Sequence, residues 1–205
     1  MARVSAKRVE QTKHELLEAA RQVLIRDGFS GLSTRRVAEA AGTQMSQIQY
    51  HFGSKEGMIL ALFKHLNDGL LERQAKTFGN PGLSVSQKWF LACDYLEEDL
   101  ASGYVRVLQE LIAGGWSNPR IGDAVRAALG QWHELLTGLA REAFDEQDAL
   151  GPFTPESIAA LIASAFIGAE ALILLGYEER IHPVRDALRQ VGDALAALEK
   201  QSEEG

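Results

Sequence analysis

Apolar residues recur at steps of three and four along almost the entire chain, and this spacing restricts the fold more than any other feature. Near the start, Leu16, Leu17, Ala20, Val23 and Leu24 set the pattern, which is typical of an α-helix with one buried face. Ala, Leu, Glu, Arg and Gln are frequent between such positions, and they favour helices over strands. With 205 residues, the chain is long enough to bury a core without a metal or a disulfide. We therefore expect an all-α fold.

Glycine, proline and capping residues divide the pattern into predicted helices. Gly28 is expected to end the first helix, and the turn residues from Gly79 to Gly82 form the clearest break. We predict helices over 7–26, 34–41, 45–51, 54–77, 84–101, 104–114, 119–147, 155–176 and 183–200.

Charge is distributed unevenly along the chain. The net charge is -7, but residues 1–60 hold nine basic and six acidic side chains, and residues 61–205 hold 12 basic and 22 acidic ones. The basic residues 1–60, called the head below, precede an acidic remainder of the chain. This distribution indicates a small DNA-binding domain joined to a larger domain. A solvated charged surface also produces such asymmetry, so charge alone does not decide the matter.

The location of the protein is predicted from its cysteine content and its apolar segments. Cys93 is the single cysteine, and the basic N-terminus is not followed by an apolar run, so we expect a cytoplasmic protein rather than a secreted one. The segment 158–175 is apolar except for Ser164 and Glu170. Because an acid inside a membrane span is costly, we expect a helix buried on two sides in a soluble protein.

A helix-turn-helix pattern lies in the basic head. Ala38 is small where two helices cross, Gly42 accepts the positive φ of a tight turn, and Val37 and Ile48 pack the pair against the first helix. The flanking residues make the pattern specific, and together they resemble the N-terminal domain of the TetR family of bacterial transcriptional regulators: Gly28-Phe29, Ser33, Arg35, Val37-Ala38, Ala41-Gly42, Ile48, Tyr50-His51-Phe52 and Ser54-Lys55-Glu56. The resemblance covers about residues 12–60. It implies a homodimer that binds a palindromic operator and is released by a small molecule.

The residues expected to contact DNA follow from the faces of the third predicted helix. Ile48 and Phe52 face inward, so the polar row Gln44, Met45, Ser46, Gln47 and Gln49 faces outward. Glutamine can bind adenine through two hydrogen bonds, and methionine can lie against a thymine methyl group, so we assign base contacts chiefly to Gln47 and Gln44. Phosphate contacts are assigned to Ser33, Arg35, Tyr50, His51 and Lys55. His51 as an ordinary surface histidine, and the glutamines as a solvated face, remain open alternatives.

This row departs from the family pattern at its start. Thr43-Gln44 stands where a β-branched aliphatic residue and a capping Ser or Thr are usual, and Gln49 stands where Tyr is usual. Because Gln is a poor N-cap, Thr43 or Ser46 is expected to take part of that role. The departures bear on the operator sequence and not on the fold.

The boundary between domains is placed after residue 53. Residues 1–53 form the predicted DNA-binding domain, the helix over 54–77 connects, and residues 54–205 form the effector-binding and dimerisation domain. A largely apolar effector is expected against the aromatic residues and one acid of this domain: Trp89, Tyr95, Trp116, Trp132, Phe166 and Glu170. The alternatives are that the aromatic residues form core and that Glu170 pairs with an arginine such as Arg106 or Arg141.

The last two predicted helices supply a second apolar face. Their outer residues form a narrow seam that two chains would combine into a four-helix dimer interface, and the seam comprises Ala163, Ile167, Ala171, Leu174, Leu188, Val191 and Leu195.

Several functional classes lack support in the sequence. There is no phosphate-binding glycine motif, cysteine pair or His-Glu-x-x-His motif, so we expect no enzyme activity, no cofactor and no metal. The sequence favours a ligand-responsive repressor. The alternatives are an architectural or cell-division DNA-binding protein of the same fold, and a helical ligand-binding or interaction module whose head does not bind DNA.

Overall fold

The fold was analysed in a computed structural model that describes residues 2–144, 152–177 and 180–204, with side chains described from 7 to 201. These residues contain helices and no strands, and the helices are α1 Ala2–Gly31, α2 Thr34–Ala40, α3 Met45–Phe52, α4 Lys55–Phe78, α5 Val85–Ser102, α6 Tyr104–Gly115, α7 Pro119–Ala143, α8 Pro155–Leu174 and α9 Val184–Glu204. The all-α prediction is confirmed. Most predicted bounds agree within three residues. The end of the helix predicted over 119–147 lies partly outside the described residues.

The first helix differs most from its predicted bounds. It begins at Ala2, and Gly28, with φ 71° and ψ 179°, kinks the backbone before a last turn ends at Gly31. With this positive φ the glycine separates the first helical segment from a short last turn, so that segment ends where the sequence predicts.

Contacts between residues divide the chain into two compact units. The N-terminal unit comprises Met1–Asp68 and Ala101–Val125, and the C-terminal unit comprises Gly69–Leu100 and Arg126–Gly205. Helix α6 therefore belongs to the same unit as the predicted head, where it packs against α1. Its buried face consists of Tyr104, Val105, Val107, Leu108 and Leu111.

Local sequence explains how the helix-turn-helix forms. The Ser33 side chain caps α2 by accepting the Arg36 N–H at 3.3 Å. The chain then turns at Gly42, where φ is +62°, and the Thr43 N–H donates to the Ala38 carbonyl at 2.9 Å. Buried Val37, Ala38 and Ile48 hold α2 and α3 in place, as the motif predicts.

The C-terminal unit is built around aromatic side chains. One core cluster consists of Trp89, Cys93, Leu96, Phe166, Ala169 and Leu188, and a second consists of Phe78, Leu136, Leu139 and Ala159. Trp132 packs against both clusters. The C-terminal helix α9 is fixed to α5 by the Trp89 indole N–H, which donates to the Leu188 carbonyl at 2.6 Å.

Candidate nucleic-acid interface

Helix α3 separates a buried side from an exposed polar side. Ile48 is 1% exposed and anchors the helix, and Phe52 is half-buried. The predicted outward row is exposed in full, and it comprises Gln44, Met45, Ser46, Gln47 and Gln49. Amide side chains project from a rigid support, which is the arrangement needed to reach base edges in a major groove.

The start of α3 has no side-chain cap. Gln44 occupies the N-cap position, and its side chain makes no capping hydrogen bond. The first amide N–H groups of a helix lack partners within the helix, so uncapped ones are available to a phosphate oxygen.

The far end of α3 presents an aromatic pair. Tyr50 is 74% exposed, and its ring stands edge-on to that of His51, with centroids 5.0 Å apart. Gly53, with φ 73°, then ends the helix. A tyrosine hydroxyl on such an exposed support can donate to a phosphate, as the sequence predicts.

The start of α4 lies directly after this turn. The Ser54 hydroxyl accepts the Gly57 N–H at 2.9 Å, so it caps α4, and Lys55 is exposed in the first turn. Glu56 lies beside it. The Asn118 amide donates to the Glu56 carboxylate at 2.8 Å, and the Arg120 guanidinium donates to the same carboxylate at 3.2 Å. Sequence reasoning missed this contact, because no local pattern relates residues more than 60 positions apart.

Helix α2 carries the remaining predicted phosphate contacts. Arg35 is exposed and pairs with Glu39 at 2.9 Å, and the hydrogen bond from this pair raises the pKa of Arg35. Arg36 pairs with Asp27 at 3.1 Å. The pKa of Asp27 is lowered to about 2, first by its hydrogen bond with Arg26. The Arg36–Asp27 pair joins α2 to α1, whereas the Arg35–Glu39 pair lies within α2.

Most residues predicted to bind an effector come together in the C-terminal unit. The Phe166 ring stands edge-on to Trp89 and Trp132, at centroid distances of 5.8 and 6.2 Å. Glu170, which is 8% exposed, lies on the same helix as Phe166. Arg141, one of its predicted partners, pairs with Glu156.

Polar groups border the aromatic cluster. The Trp132 indole N–H donates to the buried Gln74 at 2.8 Å, and the hydroxyls of Tyr95 and Thr77 are 2.6 Å apart. The Arg73 guanidinium lies 4.3 Å from the centre of the Tyr95 ring. Trp116, by contrast, is 84% exposed at the end of α6 in the N-terminal unit. Its assignment to the same aromatic group is therefore corrected.

The predicted dimer residues divide into two sets. Ile167, Ala171 and Leu174 on α8 are partly exposed, and Val191 on α9 is exposed. Leu195 is partly buried against the first core cluster. One assignment is corrected, because Leu188 lies within that cluster; Ala163 is partly exposed and packs against the second cluster. Helical spacing alone could not separate a seam that faces a partner from one that faces the chain's own core.

Helix α8 is long and apolar enough to cross a membrane. Its most apolar stretch of 18 residues has a mean hydropathy of 2.1, and 22% of that stretch is buried within the chain. The prediction that its own chain covers one side is consistent with buried Ala159, Phe166 and Ala169. Leu161 and Ala165 of the same helix are exposed.

Two observations on the described residues concern metal binding and thiol chemistry. No cluster of three or more His, Cys, Asp or Glu side chains within the described ranges is arranged to hold a metal ion. Burial raises the pKa of the Cys93 thiol to about 11, so this cysteine is a poor nucleophile at neutral pH.

Comparison with known sequences points to one family. Residues 16–62 match the family model for bacterial regulatory proteins of the tetR family. The chain is 41% identical over 51 residues to the HTH-type transcriptional repressor AcnR of Corynebacterium glutamicum, covering 25% of this chain and 27% of that relative. It is 25% identical over 153 residues to the HTH-type transcriptional regulator UidR of Escherichia coli K12, covering 72% of this chain and 71% of UidR. The AcnR match thus spans about a quarter of that relative's length.

Solved structures share the fold over nearly the whole chain. A TetR-family transcriptional regulator from Agrobacterium tumefaciens has a TM-score of 0.72 at 17% identity, covering 92% of this chain and 98% of its own. A protein from Saccharomonospora viridis in complex with choline has a TM-score of 0.73 at 18% identity, covering 88% of this chain and 95% of its own. Residues 16–62 therefore match the helix-turn-helix segment of the tetR family, and the fold of the chain is similar to that of solved TetR-family regulators.

Proposed function

We propose that this protein is a cytoplasmic transcriptional repressor that binds a palindromic operator as a homodimer and leaves it when a small molecule binds the C-terminal unit. The exposed polar row of α3, mounted on the buried Ile48, is the observation that carries the proposal. The family relatives named as HTH-type repressor and regulator support it.

The DNA contacts divide into base contacts and phosphate contacts. Gln47 and Gln44 reach base edges, with Met45, Ser46 and Gln49 beside them. Ser33, Arg35, Tyr50, His51 and Lys55 bind phosphates on either side of the groove. Arg35 exchanges its exposed partner Glu39 for a phosphate, which costs little because an exposed ion pair contributes at most about 1 kcal/mol.

Dimerisation uses the outer faces of α8 and α9. Large apolar side chains are exposed on both helices of the single chain. They are Leu161 on α8, Leu175 directly after α8, and Val191 and Leu198 on α9. Two such helices from each chain form a four-helix interface, which removes this surface from water. A symmetric dimer presents two α3 helices to two half-sites of an inverted repeat.

The effector binds within the C-terminal unit beside the aromatic cluster of Trp89, Trp132 and Phe166. Aromatic faces suit a largely apolar molecule, and Tyr95 and Glu170 add polar recognition of a hydroxyl or cationic group. The choline complex of the Saccharomonospora viridis protein gives a precedent in the same fold for a small cation with a hydroxyl group. Release follows if the effector binds a state of low DNA affinity better than the DNA-bound state.

DNA binding is tested by titrating a labelled mixed-sequence duplex with the protein at several salt concentrations and following fluorescence anisotropy. We expect binding that weakens steeply with salt, because each phosphate contact releases counterions. Lys55→Ala should reduce the salt dependence, whereas Lys200→Ala, a change of the same charge on the exposed end of α9, should not. A protein that fails to bind duplex DNA even at low salt would instead be a ligand-binding or interaction module.

A further inference from the structure

The acidic side chains between residues 25 and 60 are all paired with arginines. Between residues 25 and 60 the acids are Asp27, Glu39 and Glu56, and each forms an ion pair: Asp27 with Arg26 and Arg36, Glu39 with Arg35, and Glu56 with Arg120. The first two acids use arginines of α1 and α2. Glu56 alone uses an arginine from the first turn of α7.

Glu56 occupies an unfavourable position for a DNA-binding protein. It directly follows Lys55, the proposed phosphate contact in the first turn of α4, and its side chain is 37% exposed. An unpaired carboxylate there would repel the phosphate that Lys55 attracts, because two charges a few ångströms apart interact appreciably even near water.

Asn118, in the turn between α6 and α7, and Arg120, in the first turn of α7, hold this carboxylate on both oxygens. Asn118 donates to Oε2 at 2.8 Å and Arg120 donates to Oε1 at 3.2 Å. The Asn118 side-chain oxygen meanwhile accepts the backbone N–H groups of Arg120 at 3.1 Å and Ile121 at 3.4 Å. One amide thus begins α7 and fixes Glu56.

The backbone of the turn is closely packed, which keeps Asn118 in place. A Cβ at Gly115 would lie 3.0 Å from the Gly122 Cα, so only glycine allows the two helix ends to approach this closely. The Asn118 N–H also donates to the Gly114 carbonyl at 3.1 Å. The turn is therefore a defined support and not a flexible neighbour.

We propose that Asn118 and Arg120 are positioning residues for DNA binding: they hold and neutralise Glu56, so that Lys55 and the start of α4 attract a DNA phosphate. This inference rests on the proposed function. It adds two residues outside the helix-turn-helix to the determinants of DNA affinity, and both act through Glu56 without touching DNA.

The test measures duplex affinity at low salt for the full-length protein, the single variants Arg120→Ala and Glu56→Gln, and the double variant. We expect Arg120→Ala to weaken binding about threefold to fivefold, the range of an exposed ion pair. The double variant should return to within about twofold of the wild type, because a neutral amide at position 56 no longer repels phosphate.

Arg141→Ala is the matched control. Arg141 is 62% exposed and pairs with Glu156 in the C-terminal unit, much as Arg120, 66% exposed, pairs with Glu56. The same change in net charge there should leave duplex affinity unaltered. Asn118→Asp, which keeps the oxygen that caps α7 but loses the N–H donated to Glu56, should weaken binding in the same direction as Arg120→Ala.

Each contrary result has a distinct meaning. Equal affinities for Arg120→Ala and Arg141→Ala would overturn the inference while the proposed function stands. A double variant as weak as Arg120→Ala would show that Arg120 binds DNA directly, which also overturns the route through Glu56. A wild-type protein that binds no duplex would refute the proposed function itself.

Discussion

The packing of α9 on α5 predicts an unusual effect for a glycine substitution. Gly192 lies within α9, and a Cβ at this position would come within 2.7 Å of Phe90 Cε1, 2.8 Å of Phe90 Cζ and 3.0 Å of Trp89 Cδ1. Glycine inside a helix normally costs about 1 kcal/mol relative to alanine. Gly192→Ala therefore combines a gain in helix propensity with a steric loss.

The steric loss should exceed the gain. Carbon atoms pack best at about 3.5–4.0 Å, so the new methyl group forces both rings to move. Phe90 is half-buried and can shift, but Trp89 is 5% exposed and held by its 2.6 Å hydrogen bond to the Leu188 carbonyl. Overpacking of a core typically costs about 1–3 kcal/mol. We expect Gly192→Ala to lower the free energy of unfolding by up to about 2 kcal/mol, the steric loss less the gain in propensity.

Gly138→Ala is the matched control. Gly138 lies inside α7 and is exposed, and a Cβ there would meet no atom within 4 Å. This substitution should raise the free energy of unfolding by about 0.5–1 kcal/mol, because it gains helix propensity without a clash.

Urea unfolding followed by far-ultraviolet circular dichroism measures both changes, at one protein concentration because dimer stability depends on concentration. If both variants were stabilised equally, α9 would not pack on α5 as described, and the outer surface proposed for dimerisation would have to be redrawn.

Three further predictions concern the DNA surface and the C-terminal unit. Tyr50→Ala should weaken binding to all duplexes alike, whereas Gln47→Ala should change which bases are preferred; equal changes of preference in a selection experiment would contradict the assignment of α3. Partial burial raises the pKa of Glu199, but hydrogen bonds from the first turn of α5 outweigh it and leave the pKa below its ordinary value. The stabilising contribution of the Glu199 carboxylate is therefore present above about pH 4.3 and is lost as the pH falls below that value. Glu199→Gln should thus flatten the acid limb of the stability curve, which thermal unfolding between about pH 3 and 7 measures. Trp89→Phe leaves the Leu188 carbonyl without its indole donor and should cost about 1–3 kcal/mol in urea unfolding; an unchanged midpoint would show that this hydrogen bond contributes nothing.

The helices could be predicted from the sequence because their signals are local. Ser33, Gly42 and Gly53 mark the ends of short helices through capping and positive φ, and Ile48 reveals the inner face of α3. The outward row of α3 followed directly from that one buried side chain. Gly28 ends the first helical segment as predicted, but the short helical turn that follows it up to Gly31 has no local signal.

Features that depend on distant contacts could not be predicted. Leu188 and Val191 share one apolar stripe in the sequence, yet only Leu188 lies within the chain's own core. Trp116 is an aromatic residue like Trp132, but it lies exposed in the other unit. The contact of Asn118 with Glu56 joins segments that no periodicity relates.

Selection of DNA from a random pool by the purified protein, followed by sequencing of the retained molecules, tests sequence-specific operator binding most directly. We expect enrichment of an inverted repeat whose half-sites are spaced by about one helical turn, 10–10.5 base pairs, or a multiple of it, because the dimer presents two α3 helices. Retention without any enriched sequence, lost as salt is raised, would contradict a sequence-specific repressor and favour an architectural DNA-binding protein of the same fold.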